Sequence, residues 1–119
     1  MLSRINRLTS SAGFRQVVRD GRRAGTRSLV VHLRVDEGDA VEATGLAGPP
    51  TVGFVVSKAV GNAVARNRVK RRLRHLCAGR LDTLPAGSAL VVRAQPAAAE
   101  ASSASLGADL EKTLSRVTR

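Results

Sequence analysis

The spacing of hydrophobic residues near the start of the chain predicts a short helix and then a strand. Phe14, Val17 and Val18 follow the i, i+3, i+4 spacing of one helix face. One of the two serines before them can cap this helix, and Gly21 is placed to end it. Residues 27–35 then alternate between apolar and more polar positions, which is the period of a β-strand.

Two further strands and two further helices are predicted downstream. Residues 51–57 place alternate apolar side chains on one side, and Gly87–Ala94 is a third apolar strand. Between these strands lies an amphipathic helix with Asn62 as its N-cap and Gly79 as its terminator. Leucines and a valine then repeat at helical spacing over residues 106–117 and predict a final helix. The order helix, strands, helix, strand, helix predicts an α+β sandwich.

The helix between Asn62 and Gly79 has an apolar stripe and a basic remainder. On a helical wheel the stripe contains Ala65, Val69, Leu73 and Leu76, with Cys77 at its border. The opposite arc carries Arg68, Lys70, Arg71 and Arg74, and Arg66 and Arg72 flank the stripe. At 1.5 Å per residue such a helix extends over about 25 Å and can follow several successive phosphates.

Charge is segregated along the chain. Residues 1–34 hold eight basic side chains against one acid, residues 35–57 hold four acids and no base, and residues 58–80 hold eight bases and no acid. The net charge is +11, which indicates a polyanionic partner. Because like charges repel, a partner that neutralises residues 58–80 would explain why they are tolerated. With six phosphate contacts, the logarithm of the binding constant for nucleic acid would fall with the logarithm of the salt concentration at a slope of roughly −4 to −5.

Length and composition define the class of protein. The 119 residues are enough for one domain with one core, built from Val, Leu and Ala because aromatic residues are only 2%. We predict a basic arm at residues 1–8, an acidic loop at 36–50 and an Ala/Ser-rich linker or helix lead-in at 96–105. One cysteine excludes an internal disulfide and a multi-cysteine zinc site. Without a signal-peptide pattern or an apolar run of membrane-spanning length, we expect a cytoplasmic protein that is not bound to a membrane.

One continuous stretch is similar to a known family signature. Residues 54–71 run Phe-Val-Val-Ser-Lys-Ala-Val-Gly-Asn-Ala-Val-Ala-Arg-Asn-Arg-Val-Lys-Arg. This segment resembles the signature of the bacterial ribonuclease P protein family, with its Arg-Asn-Arg motif followed by an apolar residue, Lys and Arg. The resemblance extends to Arg7-Leu8, to the apolar positions of the first helix and to a turn at Arg22-Arg23. It covers roughly the first 95 residues and weakens after Pro96.

The resemblance implies a fold, a partner and a reaction. The fold would be a small α/β sandwich of the ribosomal-protein-S5-domain-2-like type, with a mostly antiparallel central sheet. An Arg-rich helix would cross between two parallel strands with a left-handed connection, an exception to the usual rule. The family's members are subunits of a ribonucleoprotein that removes the 5′ leader of precursor tRNA. Its catalytic RNA, with Mg²⁺ held by RNA phosphates, performs the hydrolysis, and no obligate protein partner is expected.

The resemblance also implies two sets of contact residues. The basic helix would bind the catalytic RNA through Arg66, Asn67, Arg68, Lys70, Arg71, Arg72 and Arg74. A cleft between the first helix and the sheet would hold the single-stranded leader, lined by Phe14, Val18 and His32, with Lys58 and Asn62 at the helix entrance. Relatives often carry aromatic residues where Val18 and His32 stand. We therefore expect weaker base stacking here and more reliance on arginine and His32.

An independent catalytic role has little support in the sequence. His32 and His75 lie on different predicted elements, and Asp36, Glu37, Asp39 and Glu42 lie in one loop. A solvated loop is the favoured interpretation of these acids, with weak divalent-ion binding as the alternative. We expect no catalytic residue and no protein metal site.

Other functions remain open on the sequence. The main rival is a stand-alone RNA-binding or ribosomal-type protein. An independent nuclease and a DNA-binding helix-turn-helix protein are less well supported.

Overall fold

A four-stranded sheet and three α-helices make up the part of the chain that the structure describes. The computed structural model describes residues 2, 4–35 and 49–118. Within them the helices are α1 (Ser11–Asp20), α2 (Ala63–Ala78) and α3 (Ser103–Val117). The strands are β1 (Arg22–Gly25), β2 (Leu29–Val35), β3 (Thr51–Val55) and β4 (Ser88–Ala94). Short 3₁₀ helices cover Arg4–Asn6, Leu81–Thr83 and Pro96–Ala99.

The strands lie in the order β1-β2-β4-β3. β1 pairs with β2 and β2 pairs with β4 in antiparallel fashion, while β3 and β4 are parallel. Parallel neighbours need a crossover connection, and here α2 is that connection. The predicted α+β class, with a mostly antiparallel sheet and an Arg-rich crossover helix, is confirmed.

One face of the sheet, which we call the core face, carries most of the apolar core. Val31 and Leu33 of β2 and Leu90 and Val92 of β4 point to this face and are at most 2% exposed. They form one cluster with the buried side of α2 and with the leucines of α3. α2 is thus fixed to the sheet through its apolar stripe, which leaves its outward side available for contacts.

The opposite face, which we call the α1 face, is covered in part by α1. Val17 of α1 and Val30 and Val91 of the sheet are buried, yet they lie outside the cluster on the core face. Because side chains alternate along a strand, β2 buries residues on both faces, and its first five positions are all buried. The α1 face is therefore a second, smaller packing layer.

α1 itself follows its predicted boundaries. Ser10 is the N-cap, and its Oγ accepts a hydrogen bond from the Gly13 amide at 3.2 Å. The amide of Gly21 donates to the carbonyl of Val17 at 2.8 Å, and a Cβ at Gly21 would lie 2.5 Å from that oxygen. Glycine at this position therefore allows the chain to leave the helix tightly and enter β1.

The structure corrects the sequence prediction in two places. Arg22-Arg23 begins the edge strand β1 and is not a turn. Leu76, which the helical wheel places in the apolar stripe, is only partly buried, whereas Cys77 at the border of the stripe is 2% exposed and belongs to the core. Of the two interpretations of residues 96–105, the helix lead-in fits much of the segment, which contains the 3₁₀ helix Pro96–Ala99 and the start of α3.

The predicted basic arm lies mostly within the described residues, whereas the predicted acidic loop lies mostly outside them. The predicted acidic loop, with Asp36, Glu37, Asp39 and Glu42, lies outside the described residues apart from its last two positions. In the predicted basic arm, Leu2 is 1% exposed, and the amide of Leu8 donates to the Val52 carbonyl at 2.9 Å. Arg7 and Leu8 thus run along the outer edge of β3.

Candidate nucleic-acid interface

Helix α2 presents a basic surface without a negative charge. Its sequence contains six basic residues and no acid. The Asn62 side chain caps the helix by accepting from the Ala65 amide at 2.9 Å. Val69, Leu73 and Cys77 are the buried residues that fix the helix to the core. Sixteen residues give the helix a length of about 24 Å, enough to pass several phosphates.

The predicted RNA contacts on α2 fall into three groups according to their exposure. Asn67, Arg71 and Arg74 are exposed and share one outward arc. Arg66 and Lys70 are partly buried on one flank of that arc, and the Nε of Arg66 is buried without a hydrogen-bond partner. The remaining two, Arg68 and Arg72, are partly buried on the other flank.

Arg68 and Arg72 contact backbone in the free protein. Arg68 donates through Nη2 to the carbonyl of Ala99 at 3.3 Å, and Arg72 donates through Nη1 to the carbonyl of Ala101 at 3.0 Å. The two arginines are one helical turn apart, and the two carbonyls lie just before α3. The sequence placed Arg68 on the arc opposite the apolar stripe, and no wheel could show these acceptors.

On the α1 face, Phe14 packs directly on the backbone of β3. A Cβ built on Gly53 would lie 2.2 Å from Cζ of Phe14 and 2.7 Å from Cε1. The ring is only partly buried, so part of it remains accessible. Glycine at position 53 is therefore what allows the aromatic ring to rest on the sheet, and the accessible part of the ring can stack on a base.

His32 lies in the same cross-strand row as Gly53. The register pairs Arg23 with His32, His32 with Val91, and Val91 with Gly53. At the usual spacing between strands, His32 lies roughly 10 Å from Gly53 along this row. His32 is 8% exposed, and its Nδ1 has no hydrogen-bond partner. Burial, and then the charges of Arg23 and Arg93, lower the pKa of His32.

The other predicted cleft residues are more exposed. Val18 is 42% exposed on α1. Lys58 is exposed in the turn that precedes α2. Asn62 is also exposed, and its side-chain oxygen is used by the helix cap. The structure thus brings Phe14 and His32 to one face of the sheet, and it places Lys58 and Asn62 at the entrance of α2; their contacts with RNA stay a prediction.

Two arginines on the α1 face were missed by sequence reasoning. Arg23 is the cross-strand partner of His32, and Arg93 is the partner of the neighbouring Val30. Both arginines are exposed. The signal for Arg93 is the alternation along β4, which puts it on the same side as Val91; the apolar residues that predict this strand do not include it. The sequence offers no such signal for Arg23, because Arg22-Arg23 is predicted as a turn and not as a strand.

The described residues also include one thiol and several potential metal ligands. Burial raises the pKa of the Cys77 thiol to about 12, so the thiolate form is suppressed. Among the described residues, no three side chains of His, Cys, Asp or Glu come together in a way that could hold a metal ion. None of the helices in the same part of the chain has the length and apolar character needed to cross a bilayer.

Comparison with known proteins agrees with this architecture. The family model Ribonuclease P matches residues 2–118. The ribonuclease P protein component of a Nocardioides species is 56% identical over 117 residues, which is 98% of this chain and 95% of the relative. That of Streptomyces bikiniensis is 55% identical over 118 residues, again 98% and 95% of the two chains.

Solved structures show the same fold. A mutant RNase P protein from Staphylococcus aureus superposes with a TM-score of 0.79 at 25% identity, over 95% of this chain and 88% of that one. The RNase P protein from Thermotoga maritima gives 0.74 at 23% identity, over 93% and 96% of the two chains. The family is that of an RNA-binding subunit of a tRNA-processing ribonucleoprotein. The chain therefore belongs to the ribonuclease P protein component family.

Proposed function

We propose that this protein assists ribonuclease P by holding the catalytic RNA with one face and the 5′ leader of precursor tRNA with the other. The outward arc of α2 docks on the catalytic RNA through Asn67, Arg71 and Arg74. The single observation that supports this most strongly is that α2 carries six basic side chains and no acid. Such a surface attracts phosphates along its whole length and offers no repulsive charge.

The leader lies on the α1 face, against Phe14 and His32. The partly accessible ring of Phe14 gives a stacking platform for one base. Exposed Arg23 and Arg93 flank His32 and can neutralise the phosphates of the strand. Because only one aromatic ring serves this face, arginine supplies a large share of the attraction.

The reaction itself is left to the RNA. When bound by RNA phosphates, Mg²⁺ supplies the electrostatic stabilisation that phosphoryl transfer requires. The protein's own residues bind and orient the two RNA molecules, and no protein group is assigned to proton transfer. On this proposal the isolated protein does not cleave precursor tRNA, and it needs no protein partner.

A cleavage assay at low Mg²⁺ tests the proposal. The purified protein is mixed with a ribonuclease P RNA, and cleavage of precursor tRNA is followed with and without each component. We expect cleavage to be stimulated only when both are present. Cleavage by the protein alone, or an unchanged rate when the protein is added to the RNA, would contradict the proposal.

A further inference from the structure

We infer that Arg68 and Arg72 are positioning residues, which tie α2 to the segment before α3 and so keep the outward arc of α2 ordered for RNA. This inference rests on the proposed function, because it assigns a role to residues beside the proposed RNA surface. It separates these two arginines from Arg71 and Arg74, which have the same chemistry but lie on the exposed arc.

The contacts are specific to arginine on this flank of the helix. The guanidinium groups of Arg68 and Arg72 each donate to a backbone carbonyl about thirty positions away in the chain, at 3.3 Å and 3.0 Å. A hydrogen bond from a charged donor is stronger than one between neutral groups. Lysine is shorter and carries its charge at one point, so it reproduces such a directed contact poorly.

The acceptor segment is itself held in place at both ends. Ala98 is fully buried, and its amide donates to the carbonyl of Gln95 at 2.9 Å. Ser102 caps α3 by accepting from the Ser105 amide at 3.1 Å. Ala99 and Ala101 therefore belong to a fixed stretch of backbone, and arginines bonded to it fix α2 in turn.

α2 needs such ties because its own charges oppose its structure. Arg68 and Arg72 are an i, i+4 pair of like charges, and so are Lys70 and Arg74; pairs of this kind destabilise a helix. The negative ends of two carbonyl dipoles beside Arg68 and Arg72 offset this repulsion on one flank. Without these contacts the exposed arc would be less ordered before RNA binds. Part of the binding free energy would then be spent on ordering the helix, and the affinity for RNA would be lower.

The central test replaces both arginines while keeping their charge. The variant Arg68→Lys with Arg72→Lys is compared with the unmodified full chain for binding to ribonuclease P RNA, at a temperature where circular dichroism shows both to be folded. We expect the affinity to fall roughly tenfold. We also expect faster hydrogen exchange at the Ala98 amide of the RNA-free variant, because the segment it belongs to is released.

A matched control removes an arginine–carbonyl contact elsewhere. Arg116 of α3 donates through Nη1 to the carbonyl of Gly25, with 3.5 Å between the two atoms. This contact joins α3 to β1 and does not involve α2. Arg116→Lys should keep the RNA affinity of the unmodified chain. If the double lysine variant also keeps it, Arg68 and Arg72 only support the fold and the inference is wrong. Weaker binding with unchanged exchange at Ala98 would likewise overturn it, since the arginines would then act on RNA directly.

Two further measurements keep the outcomes separate. If the double variant does not fold, the single variant Arg72→Lys is measured in the same way, with the same criteria. Arg71→Gln with Arg74→Gln tests the proposed function itself, since it should weaken binding and reduce the salt slope by roughly one to two. If the glutamine variant of Arg71 and Arg74 keeps its affinity for RNA, the proposed function is contradicted. If that variant loses affinity but the lysine variant of Arg68 and Arg72 does not, only the role of Arg68 and Arg72 is contradicted.

Discussion

Replacing Gly53 by alanine should displace Phe14 from the sheet. The new Cβ would lie 2.2 Å from Cζ of the ring, where ordinary contact begins at 3.4 Å, so the ring must retreat by 3.4 − 2.2 = 1.2 Å or more. The ring cannot retreat freely, because α1 is held by buried Val17 and by the tight exit at Gly21. Overpacking of this size destabilises a protein by about 1–3 kcal/mol.

The assay separates this steric effect from a general loss of stability. Urea unfolding gives the change in the free energy of unfolding for Gly53→Ala, for Phe14→Ala and for the two together. Removing the ring removes the clash, so the double variant should be no less stable than Phe14→Ala alone. The difference between the sum of the single effects and the double effect measures the contact between the two positions.

Binding measurements on the reconstituted holoenzyme complete the test. Gly53→Ala should weaken binding of precursor tRNA more than binding of mature tRNA, because the displaced ring no longer presents the same stacking surface. A variant as stable as the unmodified protein, with unchanged discrimination between the two tRNAs, would show that Phe14 does not rest on Gly53. Additive effects on stability would lead to the same conclusion.

Three other predictions concern single side chains. Phe14→Ala should lower affinity for precursor tRNA more than for mature tRNA in holoenzyme binding assays; equal losses would make Phe14 a packing residue. Burial and the charges of two arginines lower the pKa of His32 from 6.5. The unfolded state therefore binds more protons than the folded state, so the free energy of unfolding should fall as pH drops through 6.5. Urea titrations at several pH values should show this fall, and a smaller one in His32→Gln. Cys77 should react with thiol reagents only as fast as the protein unfolds, because its thiol is buried and its pKa is about 12; rapid labelling of the native protein would contradict this.

The sequence predicted the helices and three strands because their periodicity is strong. It missed β1, whose four residues are Arg-Arg-Ala-Gly and whose side chains are mostly exposed. An edge strand of this kind is stabilised by its backbone pairing with β2, which leaves no apolar alternation to detect. The burial of β2 on both faces was equally hidden, since His32 is a polar residue at a buried position of this strand.

The candidate site could be predicted as a set of residue types but not as a set of contacts. The acid-free run of α2 is visible in the sequence, and so is its amphipathic period. Which arginines are exposed depends on the backbone packed beside the helix, and Ala99 and Ala101 are about thirty positions away from Arg68 and Arg72. Likewise, nothing local to Phe14 or Gly53 indicates that they touch, because only the pairing of β3 and β4 and the docking of α1 bring them together.

The two faces of the sheet carry basic residues from different parts of the chain. α2 packs on the core face, whereas Phe14, His32, Arg23 and Arg93 belong to the α1 face. The sheet and its buried side chains lie between the two surfaces, so one short RNA segment cannot contact both at once. A protein that bound a single RNA strand would gain little from basic residues on both faces, since each added charge increases self-repulsion. On the proposed function, the arrangement suits a protein that lies between two RNA molecules, with the sheet setting the distance between them.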